Sequence, residues 1–227
     1  MANYVLVHGA WGGIQFYERT AADLEAAGHK VLRVEMKGLG TRQAELHPGI
    51  TLTDHVDDVV EQVEKAGFER FILAGHSYGG MVITGAATRL GARIDAICYI
   101  DAFLPEDGQS LWDVTGEFEH HWYIDRQKFD PAMVPLIGNE EFEVIPNEVG
   151  YHPLLTLLEA VRYTGEEAKI PRHAYIFATE WQPSPFPRFA EKVKDDPAWE
   201  YHEAPCTHDV MGDQPELTAK VLLGLAS

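Results

Sequence analysis

Phe71-Ile72-Leu73-Ala74-Gly75-His76-Ser77-Tyr78-Gly79 runs from an apolar stretch straight into Gly-x-Ser-x-Gly. The apolar run reads as a buried strand, and a helix-forming stretch begins just beyond Gly79. A serine placed there answers a chemical need. Its hydroxyl is a weak nucleophile and has to be held exposed, beside a base, at a sharp strand-to-helix turn. Gly75 and Gly79 leave out the side chains that would clash where the chain turns. The helix N-terminus behind the turn offers free backbone N–H groups to a developing negative charge. Taken alone, the same five residues also suit a plain small-residue turn, so the rest of the chain has to decide.

Two further segments decide it. Tyr4-Val5-Leu6-Val7 is a second apolar run, and it ends in His8-Gly9-Ala10-Trp11-Gly12-Gly13. A glycine-rich segment after an early strand is where acyl-transfer chemistry on such a turn finds its second oxyanion donor. The expected donors are the backbone N–H of Ala10 and that of Tyr78, each worth about 100- to 1000-fold in rate. His208 lies in Pro205-Cys206-Thr207-His208-Asp209, after the strand-like Trp199-Glu200-Tyr201-His202-Glu203 and before a closing helix. The order serine, acid, histidine fits the chemistry, with Ser77 as nucleophile and His208 as base.

Strand-like and helix-like stretches alternate along the chain. Strands are expected near residues 4–8, 31–36, 70–75, 94–101, 174–179 and 200–203. Helices are expected near 20–27, 52–66, 78–90 and 214–225. The second helix carries Val56, Val59, Val60 and Val63 on one face and stops at Gly67. The third is rich in small residues, which suits close packing on a sheet. Such alternation implies right-handed crossovers and a mostly parallel sheet in one domain spanning 1–227. From 104 to 171 the rhythm breaks and no clean strand is expected. That interval carries Trp112, Phe118, His120, His121, Trp122, Tyr123, Phe129, Phe142 and Tyr151. An insertion at the strand ends that carry the chemistry can serve as a lid, or its aromatics can form a small core of their own.

The net charge of the 227-residue chain is -18, which argues against nucleic acid and anionic membranes as partners. Two acidic clusters, Asp54, Asp57, Asp58, Glu61 and Glu64, and Glu140, Glu141, Glu143 and Glu148, read as solvated faces. No long apolar span and no basic-then-apolar leader occur, so a cytoplasmic location is expected. Of the two cysteines, Cys98 falls in an apolar strand, and no disulfide is expected. His8 and His76 are expected to make structural hydrogen bonds. His120 and His121 are adjacent and would point apart, so no metal site is expected. The glycine-rich segment lacks both a Gly-Lys-Ser/Thr ending and Gly-x-Gly-x-x-Gly spacing, so no phosphate-bearing cofactor is implied.

The segments Val5-Leu6-Val7-His8-Gly9-Ala10-Trp11, Leu24-Glu25-Ala26-Ala27-Gly28-His29-Lys30-Val31, Gly75-His76-Ser77-Tyr78-Gly79-Gly80-Met81 and His208-Asp209 resemble the α/β-hydrolases. More narrowly, they resemble the branch of plant methyl-ester esterases and hydroxynitrile lyases with their bacterial relatives. The resemblance implies an α/β fold with a six-stranded, mostly parallel sheet flanked by helices, lacking the first two strands of the larger form. It implies a cofactor-independent serine hydrolase, a carboxylesterase whose partner is a small to medium, partly apolar ester or lactone. Oligomeric state stays open.

The triad acid departs from the plant pattern, which has an aspartate just after the strand near 174–179. Here the chain reads Thr179-Glu180-Trp181-Gln182-Pro183. Asp101, at the end of Ile94-Asp95-Ala96-Ile97-Cys98-Tyr99-Ile100, and Glu180 are the two candidates. Bacterial relatives with a similar Tyr-Ile-Asp-Ala-Phe-Leu-Pro segment also tend to lack the later aspartate, which favours Asp101. Two other functions remain in view. A lyase would use the same triad, and the plant lyases hold cyanide with a lid lysine; here only Lys128 and Lys169 fall in the insertion. A ligand receptor of the same fold would keep the triad without turnover.

Overall fold

The computed structural model describes residues 1–128, 131–136 and 150–226. Phe129, Phe142 and the cluster Glu140, Glu141, Glu143 and Glu148 lie outside the described residues.

The chain begins with β1 (Asn3–Val7), α1 (Glu18–Ala26), β2 (Lys30–Val34), α2 (Leu52–Ala66), β3 (Phe71–Ser77), α3 (Gly79–Leu90) and β4 (Ile94–Ala102). The interval up to the next sheet strand holds α4 (Glu117–Asp125), β5 (Met133–Pro135), β6 (Tyr151–Pro153) and α5 (Leu155–Leu158). Then follow β7 (His173–Ala178), α6 (Pro187–Lys194), β8 (Trp199–Ala204), α7 (Val210–Asp213) and α8 (Pro215–Gly224). The sheet has six strands in the order β2-β1-β3-β4-β7-β8, and every neighbouring pair is parallel.

Strands of a parallel sheet are covered on both faces, which is why they read as unbroken apolar runs. Tyr4, Val5, Leu6 and Val7 are all fully buried. Alternate residues serve opposite cores. Tyr4, Leu6, Ile72 and Ala74 pack with Leu24 of α1 and Leu222 of α8. Val5, Val7 and Leu73 pack with Val56, Val59 and Val63 of α2 and Ile83 of α3. α2 begins with a capping box between Thr51 and Asp54 and ends at Gly67, whose φ of +67° suits glycine. A Cβ at Gly85 would lie 2.5 Å from Val56 Cγ2, so the small residue sets how closely α2 and α3 approach.

Two expectations need correction. The insertion does contain strands: β5 and β6 pair antiparallel, three residues each. They are too short, and each too proline-marked, to show a period of two. Asp58 is not on a solvated face. It is only 8% exposed, and its carboxylate accepts from Arg42 Nη1 and from the Lys37 amide, both at 2.7 Å. The rest of that cluster is on the surface or capping, with Asp57 paired to Arg89 and Glu64 to Arg93. Among the described residues no helix is long and apolar enough to cross a membrane.

Candidate active site

Three loops meet at the C-terminal edge of the sheet, where parallel strands deliver their chemistry. The first is the turn from β3 into α3. Ser77 ends β3 with φ of +54°, a left-handed conformation that a non-glycine residue adopts at a cost of about 1–3 kcal/mol. The glycines around it are there for space. A Cβ at Gly75 would meet the Gly79 carbonyl at 2.7 Å and Ile83 Cγ2 at 2.8 Å. A Cβ at Gly79 would meet the carbonyls of Val7 and His8, at 2.7 and 2.8 Å. Gly75→Ala is therefore expected to destabilise the fold by about 1–3 kcal/mol, read as a lowered thermal midpoint; an unchanged midpoint would show that the turn has slack.

The second loop follows β1. A Cβ at Gly9 would come 3.0 Å from Ser77 Cβ, which places His8-Gly9-Ala10 against the serine. Among the described residues, neither the Ala10 N–H nor the Tyr78 N–H donates to another group of the chain. The third loop follows β8. His208 is fixed through its carbonyl, which accepts from His76 Nε2 at 2.9 Å and from the Val210 amide at 2.9 Å. Its Nδ1 donates to Asp101 Oδ2 at 2.6 Å.

Asp101 belongs to β4, the strand between β3 and β7. It is fully buried, has φ of +40°, and its Oδ1 accepts from the Ala178 amide of β7 at 3.1 Å. Glu180 is exposed; its backbone N–H donates to the Cys206 carbonyl. The structure thus brings Asp101 to His208 and leaves Glu180 outside. Four described non-glycine residues have positive φ: Trp11, Ser77, Asp101 and Ala132. Three of them belong to this edge, so backbone strain is concentrated where the chemistry-bearing groups converge.

Burial sets the electrostatics. It pushes the Asp101 carboxyl up to about 7, against the opposing hydrogen bond from Ala178 and the influence of His76. It pushes His208 below the ordinary histidine range, so the imidazole is neutral at neutral pH. With Nδ1–H given to Asp101, the Nε2 lone pair is left to accept a proton. Among the described residues Ser77 Oγ has no hydrogen-bond partner, His208 included; in resting sites of this kind that contact is commonly long and shortens around substrate.

Sequence reasoning missed the rings around the histidine. Trp181 stacks on His208 with centroids 4.2 Å apart and planes 22° apart, and Phe186 lies 5.1 Å away at 15°. Nothing periodic marks them; the one hint is that Trp181 falls in the segment where the plant pattern has its acid. His8 Nδ1 binds the Gly9 carbonyl at 2.8 Å, a structural bond like that of His76. His120 and His121 bind the carbonyls of Trp112 and Glu117. Lys128 and Lys169 are on the surface, paired with Asp125 and Glu166. Both cysteines are free and buried.

A model of the alpha/beta hydrolase family matches residues 4–221. A carbendazim hydrolyzing esterase from Nocardioides sp. is 36% identical over 241 residues, covering 99% of this chain and 100% of the relative. Polyneuridine aldehyde esterase from Rauvolfia serpentina is 27% identical over 256 residues, 99% of this chain and 95% of the relative. An extracellular alpha/beta-hydrolase from a Paenibacillus species superposes with a TM-score of 0.82 at 22% identity, covering 99% of each chain. Matched from end to end by an esterase and by the family's own model, the chain belongs to the alpha/beta hydrolase family and is a carboxylic ester hydrolase.

Proposed function

We propose that Ser77, His208 and Asp101 are the catalytic triad of this ester hydrolase, with the Ala10 and Tyr78 amides as its oxyanion hole. One observation carries the assignment of the acid: the 2.6 Å bond from His208 Nδ1 to a carboxylate that is itself fully buried at a strand end. Ser77 Oγ attacks the ester carbonyl while His208 Nε2 takes its proton. The two amides hold the oxyanion, and the imidazolium stays beside the Asp101 charge. His208 then hands the proton to the departing alkoxide, leaving an acyl group on Ser77. Water, deprotonated by His208, attacks that acyl group, and the serine leaves with the proton.

The substrate we infer is a small to medium, partly apolar ester or lactone. The rings of Trp181 and Phe186 against His208 supply an apolar wall beside the reacting centre. Carbendazim, hydrolysed by the Nocardioides relative, is a substrate to try alongside p-nitrophenyl esters. We read the chain as a single domain, 1–227, in which 104–171 forms a lid over this site. The two free, buried cysteines support a cytoplasmic setting. The lyase reading gains nothing from the insertion, because both of its lysines are engaged with acids on the surface.

The pH dependence follows from the buried pair. Asp101 has to be anionic and His208 neutral for the base to work. Burial raises the Asp101 carboxyl to about 7, so the working form is present above that range and is lost as pH falls through it. The groups facing His208 are Asp101 from β4 and His76 from β3, and His76 is held neutral by burial. kcat/KM for a p-nitrophenyl ester is expected to be flat in mild alkali and to fall tenfold per pH unit below its midpoint. That midpoint should lie well above the ordinary carboxylate value of about 4. A rate that holds level down to that value would contradict the pairing.

A further inference from the structure

Trp11, the residue after Ala10, has φ of +55°. A bulky L-residue stays in that region only when its surroundings hold it there. What holds it comes from the insertion, on three sides. Its backbone N–H donates to His152 Nδ1 at 3.5 Å, a weak bond. Its indole N–H donates to the Val134 carbonyl at 2.7 Å. Its ring stacks on Trp122, 4.8 Å between centroids and 12° between planes. Val134 and His152 are direct partners across the β5–β6 pair, so both hydrogen bonds come from one rung of that small ladder.

His152 is fully buried, and its tautomer is fixed by what surrounds it. The Thr156 hydroxyl donates to the Pro153 carbonyl at 2.7 Å. Its oxygen is then left to accept from His152 Nε2–H, also at 2.7 Å. Nδ1 therefore carries the lone pair, aimed at Trp11. The same ring meets Tyr78 edge-on at 4.7 Å and 74°. Tyr78 is anchored from the far side: its hydroxyl donates to His55 Nδ1 at 2.9 Å, and His55 Nε2–H donates to the Lys37 carbonyl at 2.9 Å. One imidazole from the insertion thus touches Trp11, next to one oxyanion donor, and Tyr78, which carries the other.

We propose that His152 is a positioning residue for the oxyanion hole, through which the β5–β6 ladder of the insertion sets the direction of the Ala10 and Tyr78 amides. The insertion then completes the site as well as covering it. This rests on the assignment of those two amides as the oxyanion donors of Ser77. Positioning acts on the charge that develops in the transition state, so its loss lowers kcat and leaves ground-state binding alone.

The test compares His152→Leu, which removes the acceptor, with His152→Asn, which restores one at the same depth. For a p-nitrophenyl ester, His152→Leu is expected to lower kcat about 10- to 100-fold with KM within about twofold. Affinity for a trifluoromethyl ketone, which forms a tetrahedral adduct with the serine, should fall by the same factor as kcat/KM. Affinity for the product acid should stay level, and His152→Asn should recover most of the loss. Trp11→Phe, which keeps a ring and removes the indole N–H, tests the same grip should His152→Leu not fold; about tenfold in kcat is expected. Unchanged kcat and ketone affinity in the folded variants would overturn the proposal. So would equal losses of ketone and product-acid affinity, which would mark a packing role alone. Ser77→Ala, assayed alongside, separates the levels: an active Ser77→Ala sinks the underlying triad, whereas a dead Ser77→Ala with silent His152 variants sinks only this inference.

Discussion

Asp101→Asn is expected to lower kcat by about 10⁴-fold while Glu180→Gln stays within about twofold of wild type. The asymmetry follows from the sheet. β4 runs between β3 and β7, so its last residues point into the gap between the serine turn and the histidine loop. There Asp101 reaches His208 Nδ1 with one oxygen and the Ala178 amide with the other. The carboxamide of the variant would keep that shape. Its NH₂ cannot accept from Nδ1–H, so the imidazole would turn to its other tautomer and present a proton, not a lone pair, to Ser77. The variant would also lose the charge that stabilises the imidazolium. Steady-state hydrolysis of a p-nitrophenyl ester, with circular dichroism to confirm folding, reads both effects. Collapse of Glu180→Gln with an active Asp101→Asn would reverse the assignment.

Ser77→Ala carries the largest expected loss, about 10⁴- to 10⁶-fold in kcat. On the proposed mechanism the group removed is the one that forms the bond to substrate, and among the described residues the neighbours are committed elsewhere: His76 points its Nε2–H at the His208 carbonyl, and Tyr78 is engaged with His55. The folded state should be little changed, since alanine retains the Cβ that faces Gly9 and gives up only the hydroxyl. Loss of turnover with an unshifted thermal midpoint is the expected pair of results. Residual turnover within about tenfold of wild type would point to another nucleophile.

Much of this architecture is legible in the chain. Central strands announce themselves because both faces are buried, so Tyr4-Val5-Leu6-Val7 and Phe71-Ile72-Leu73-Ala74 show no polar alternation. α2 declares its start with Thr51 and Asp54 and its stop with Gly67. Gly-x-Ser-x-Gly shows in sequence as a five-residue pattern after an apolar run, and Gly75 answers a clash within it, with the Gly79 carbonyl; Gly79 answers one with the distant carbonyls of Val7 and His8. Contacts made across long separations are silent. Asp58 reads as one more acid on a polar helix face until Arg42 and the Lys37 amide come over it. Asp101 and Glu180 are both acids at or beyond strand ends; the resemblance favours Asp101, and the neighbourhood of β4 and β7 is what brings it to His208. Trp181 on His208 and His152 on Trp11 join residues 27 and 141 positions apart, and no period in the sequence encodes such a meeting.

On the proposed mechanism all ester turnover passes through Ser77. Titration with a fluorophosphonate, following residual p-nitrophenyl ester hydrolysis and locating the adduct by peptide mass, tests it most directly. Activity is expected to fall linearly to zero at one equivalent per chain, with the single adduct on Ser77. Hydrolysis that persists in fully labelled protein, or an adduct on any other residue, would contradict it.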